Sequence, residues 1–217
     1  MRKLGVPFVT LILLIVAAVT VSALLANPAN QSEMIKMAPW LIARSAGVTA
    51  YILLTLLVVV GFVLASVPNK EHWRITKFVL PLHRQLSLFL GVFLVLHVLA
   101  IALDAYVKVG LVGAFLPGLS NYRTLPVAIG TLAFYGVVAT GFTARFTRVL
   151  PPGKWLTIHR VAFATFVFAF FHSVWTGTDT PSLQLMYDGT AGLVLIAAFV
   201  RYAFTKGVWR ESNQSAP

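Results

Sequence analysis

Residues 81–97 read PLHRQLSLFLGVFLVLH, an apolar run carrying one imidazole at His83 and another at His97. A later apolar stretch repeats the arrangement with His159 and His172. Ionisable side chains are costly in hydrocarbon, so imidazoles paired inside membrane-length segments need a purpose. The spacings are 14 and 13 residues. At about 1.5 Å per residue, each pair covers roughly 20 Å of helix, some two-thirds of a bilayer core. Each helix therefore offers one ligand near each membrane face, and two such helices side by side offer two stacked His–His sites. Two axial histidines leave no open position on a haem iron, so the pattern predicts one-electron transfer through lipid.

The composition agrees with a membrane setting. Of 217 residues, 59% are hydrophobic and 11% charged, with mean hydropathy +0.86; a soluble domain is about a quarter charged. Cysteine is absent, which excludes disulfides, cysteine-ligated clusters, covalent haem and thiolate ligation. The net charge of +11 would suggest nucleic acid in a soluble protein, but here the charges separate apolar segments and no nucleic-acid partner is expected. Six apolar runs are read, at Val6–Ala26, Leu41–Ser66, Gln85–Leu103, Leu125–Phe142, Val161–Trp175 and Leu183–Phe204. Trp40, Trp73, Trp155, Trp175 and Trp209 fall near run ends, where interfacial belts form.

Basic residues sort by side. Arg2, Lys3, Lys70, Arg74, Lys77, Arg84, Arg145, Arg148, Lys154, Arg160, Arg201, Lys206 and Arg210 lie on one side; Lys36, Arg44, Lys108 and Arg123 lie on the other. The positive-inside rule puts both termini in the cytoplasm of a multi-pass cell (inner) membrane protein. Met1-Arg2-Lys3 before an apolar stretch also suits a secretory signal, but the stretch is long and a retained helix is expected. No phosphate-cradling glycine loop appears, so electrons must arrive from a partner.

This topology makes the third and fifth helices parallel. It pairs His83 with His159 at an inner level and His97 with His172 at an outer one. Helical phase supports the first helix, because 14 residues return within about 40° of the same face, and strains the second, because 13 miss by about 140°. The second helix needs local rewinding, such as a π-bulge, or a haem ring reached obliquely. A lone transmembrane histidine would be read as a structural residue bonded to a neighbouring helix, and a zinc or copper site would need ligands converging on one point. Two matched pairs favour haem over either. His72 reads as a solvated interface residue.

The segment from Pro81-Leu82-His83-Arg84-Gln85-Leu86-Ser87 to Leu96-His97, with His159-Arg160 and Phe171-His172, resembles the ferric reductase-like transmembrane domain over roughly Ile42–Val200. That family includes the membrane cores of NADPH oxidases and ferric-chelate reductases. The resemblance implies two b-type haems held by His83 with His159 and His97 with His172. It also implies electron flow from a cytosolic flavin domain to an outer acceptor, and it favours an arginine near Arg44. This chain departs from the pattern in having no flavin domain. It looks like the standalone bacterial members, distantly akin to the haem subunit of a periplasmic methionine sulfoxide reductase system; that subunit lacks a match to His83.

Haem propionates are anionic and call for basic partners. Arg84 and Arg160, next to the inner histidines, are the inner candidates; Arg44 and Arg123 are the outer ones. Phe163, Phe166, Phe168, Phe170 and Phe171 pack either haem faces or the bundle. Asp179 or Thr180 is expected to cap the last helix, with Pro181 in its first turn.

The expected fold is an all-α integral membrane protein, a six-helix transmembrane bundle holding two stacked b-type haems. Residues 1–40 form the first helix and outer loop, 41–204 the ferric reductase-like haem domain and 205–217 a cytoplasmic tail. The expected activity is electron transfer from a cytosolic flavoprotein or quinol donor, with FMN, FAD or quinone supplied through the partner, to an outer acceptor. Two other redox roles are a haem subunit serving a periplasmic reductase and a quinol-oxidising cytochrome b. A proton-coupled transporter with a histidine relay is the non-redox alternative.

Overall fold

A computed structural model of the chain describes residues 31–66, 73–151 and 154–214. The first apolar run, with its signal-or-helix question, and His72 lie outside the described residues. So a six-helix count rests on a segment that is not described.

Helix α1, Gln31–Ser66, opens the described chain. It starts ten residues ahead of the apolar run, because a helix satisfies its backbone internally and can continue through the polar interface. Helix α2, Trp73–Leu103, likewise begins well before Gln85 and includes Pro81. A short helix α3, Gly110–Phe115, lies in the connection to α4, Thr124–Arg145. A 3-10 turn at Thr147–Val149 leads to α5, Lys154–His159, then α6, Ala162–Thr176, and α7, Thr180–Gln214.

Among the described residues, five segments are long and apolar enough to cross a membrane: Ile35–Ser66, Thr76–Leu103, Thr124–Arg145, Lys154–Thr176 and Thr180–Ala203. α5 and α6 together make the fourth crossing. The protein is a multi-pass, all-helical membrane protein. Its outward faces agree, since Leu185 is 86% exposed, Leu88 73% and Phe199 70%, values that suit lipid and not water.

Inside, α1 packs closely against α2, α4 against α5 and α6, and α7 against α1. The centre is a layer of Ala50, Tyr51, Leu54, Val58, Leu90, Phe166, Tyr187 and Val194. Polar side chains here turn back on their own helices. The Thr55 hydroxyl donates to the Tyr51 carbonyl at 2.9 Å and the Thr165 hydroxyl to Val161 at 3.1 Å. Tyr51 and Thr190 join α1 to α7 through a 2.6 Å hydroxyl pair. Gly136 permits a close approach of α4 to α6, since a Cβ there would collide with the Thr165 side chain.

Candidate functional site

The four intramembrane histidines come from α2, α5 and α6, and the fold brings them together in twos. The rings of His83 and His159 lie 6.1 Å apart between centroids, crossed at 68°. Those of His97 and His172 lie 6.2 Å apart, crossed at 76°. α2 therefore runs parallel to α5 and α6, with the pairs at two levels. Leu90 and Phe166, near the middle of the two sequence intervals, are buried in the apolar layer between them.

Small residues on the neighbouring helices seat the rings. A Cβ on Gly47 would stand 2.8 Å from His97 Nδ1, and one on Gly130 would come closer still to His172 Nδ1. With no side chain in the way, each imidazole reaches a carbonyl one helical turn earlier. His97 Nδ1 meets Ala43 O at 2.7 Å, four residues before Gly47, and His172 Nδ1 meets Pro126 O at 2.9 Å, four residues before Gly130. A carbonyl can only accept, so Nδ1 carries the proton and Nε2 keeps the free lone pair.

The inner pair repeats this plan more loosely. Gly61 stands beside His83 with room to spare, at 3.6 Å from Cε1 for an added Cβ. His83 lies beside the Leu57 backbone, and its Nδ1 is buried without a partner. His159 Nδ1 meets Thr140 O at a long 3.4 Å, four residues before Ala144, which takes the place held elsewhere by glycine. Gly47 and Gly61 are 14 apart, as are His83 and His97. That shared interval was the available sequence signal for these glycines.

The awkward 13-residue spacing is absorbed at Arg160 and Val161, where α5 ends and α6 begins. The Val161 N–H donates to Ile158 O at 2.9 Å and the Phe163 N–H to Arg160 O at 3.4 Å, three residues back instead of four. Such a turn advances about 120° per residue against 100°, the sense that carries 13 residues toward a common face. The rewinding is thus a tightening and a break, not the looser π-bulge.

Of the four arginines, Arg44 alone lines the same cavity as His97 and His172, a space of about 200 Å³ that also takes in Gly47, Gly130 and Tyr187. Its guanidinium bonds the Thr178 hydroxyl, pairs with the Asp179 carboxylate and lies 4.6 Å from the Trp40 ring centre. Arg123 starts α4 in a left-handed conformation (φ 39°) and donates to the Trp175 carbonyl. Arg84 and Arg160 are exposed at the opposite end.

Asp179 stands where the cap was expected, its carbonyl accepting from the Ser182 and Leu183 N–H groups at 3.0 Å each, but its carboxylate pairs with Arg44. The Thr180 hydroxyl instead donates to the Val174 and Gly177 carbonyls, 2.9 Å each, closing the end of α6. Pro181 does sit in the first turn of α7.

The family model described as ferric reductase like transmembrane component matches residues 46–170, more than half of the chain. The chain belongs to that family. The match spans His83, His97 and His159 and ends at residue 170, before His172, which the fold places opposite His97. No curated protein and no solved structure matches the chain.

Ferric reductase-like domains imply haem, and the paired residues fit that group. Metal–imidazole bonds of about 2.0–2.1 Å, with about 1.1 Å from nitrogen to ring centre on each side, would hold two axial rings roughly 6.3 Å apart. Rings joined by a direct hydrogen bond of about 2.9 Å would stand nearer 5 Å.

Proposed function

We propose that this ferric reductase-like protein conducts electrons across the membrane through two non-covalent b-type haems, one between His83 and His159 and the other between His97 and His172. The observation that carries the reading is the pairing of imidazoles at two levels of parallel helices, with three of the four Nδ1 atoms facing backbone carbonyls within hydrogen-bonding distance. Haem bound there would supply one-electron transfer, and the four histidines would hold it.

The residues act by fixing position. The carbonyls of Ala43, Pro126 and Thr140 orient the imidazoles and keep Nε2 available. Leu54, Leu90 and Phe166 exclude water between the levels. Arg44 is the foremost partner for an outer propionate, with Arg123 behind it, while Arg84 and Arg160 stand at the inner end. The inner end faces the cytoplasm of the inner membrane with both termini. A cytosolic flavoprotein or a quinol in the bilayer delivers the electrons, and an acceptor outside takes them.

Pyridine haemochrome titration of the purified protein tests the reading. About two haems per chain are expected. A value near zero refutes it, and a value near one removes one of the sites.

A further inference from the structure

The two histidine pairs differ in how their outward-facing nitrogens are treated. Both outer rings hold short bonds to carbonyls, 2.7 Å from His97 and 2.9 Å from His172. Of the inner rings, His159 has one long contact of 3.4 Å and His83 has none. A carbonyl that accepts the Nδ1 proton pushes electron density into the imidazole and raises its basicity as a ligand. A stronger donor stabilises ferric over ferrous iron, so ligand hydrogen bonding is a lever on reduction potential.

Charge acts in the same direction. Lys77, Arg84, Arg145, Arg148, Lys154 and Arg160 are exposed at the inner end, and nearby positive charge favours the reduced, less positive iron. At the outer mouth, Arg44 is offset by Asp179, which leaves Lys108 and Arg123 against the six cations of the inner end.

We propose that the outer pair forms the harder-to-reduce of the two centres, and that Gly47 and Gly130 are the positioning residues that make it so. The proposal rests on the haem reading above. Each glycine clears the groove through which an outer ring reaches its carbonyl, and the inner site has no equally tight counterpart. An electron moving outward then climbs between the levels, and a membrane potential negative inside draws it across.

Optical redox titration of the haem-loaded protein is the test. Wild type is expected to titrate in two one-electron waves. His172→Ala should keep the higher wave and lose the lower, and His83→Ala should do the reverse. In Gly47→Ala the added methyl displaces the His97 ring. The lower wave should rise until the reduced-to-oxidised ratio at fixed potential grows about tenfold, or about 59 mV for one electron, with the upper wave unmoved. Gly91→Ala, which faces open space, should move neither. Should Gly47→Ala fail to accumulate, the wave lost in His172→Ala still decides the order. Survival of the lower wave in His172→Ala, a shift of the upper wave in Gly47→Ala, or a single wave in wild type overturns the proposal. Wild-type protein without haem overturns the underlying reading instead.

Discussion

His83 and His159 stand at one level of the bundle and His97 and His172 at the other, so substitutions should separate by level. His83→Ala or His159→Ala is expected to remove one spectral component, and His97→Ala or His172→Ala the other. Loss of the same component from His83→Ala and His172→Ala would break the pairing. Gly136 makes a different kind of demand, since its missing Cβ leaves room for the Thr165 side chain. Gly136→Ala is expected to force α4 from α6 and cost about 1–3 kcal/mol, read as a lowered unfolding temperature in detergent; an unchanged temperature would show that the helices relax freely. The histidines were legible in the sequence because imidazole is rare and costly in an apolar run. The seating glycines were not, because glycine is common in membrane helices and its meaning lies in what packs above it.

The element that most needed the structure is the α5–α6 junction. Spacing alone exposed a phase conflict between His159 and His172, but two opposite rewindings could remove it. Backbone bonding at Val161 and Phe163 selected the tighter one. Inserting one alanine after Val161 should rotate His172 by about 100° away from Gly130. The outer component should vanish while the inner one, set by His159 before the insertion, persists. Retention of both components would mean that the junction absorbs a residue without turning α6. The Thr178–Thr180 turn was readable as a turn, yet its polar groups serve other elements. Asp179 reaches α1 and Thr180 closes α6, partners more than a hundred residues away or behind the turn, which local capping rules do not anticipate.

For the whole molecule, hydropathy foretold the five crossings now described, and charge asymmetry foretold the basic end formed by α2, α4 and α5. No nucleotide-cradling motif accompanies them, so the purified protein is expected not to oxidise NADH or NADPH. Addition of an acidic flavoprotein with NADPH should reduce the haems at a rate that falls as salt screens the basic end. Rapid reduction by NADPH in a flavin-free sample would contradict this. The bundle also contains two hairpins, α1 with α2 and α4 with α5 and α6, each giving one histidine to each level, with α7 packed against α1 and α6. Neither hairpin completes a site, and α2 makes few direct contacts with α6, the halves meeting through α1 and through α7. On the proposed reading, the cofactor is a rivet between half-built units. Whatever binds only the joined form stabilises it by mass action. Cofactor supply would then govern how many chains finish assembly, and starved cells would hold a pool of splayed intermediates for quality control to clear.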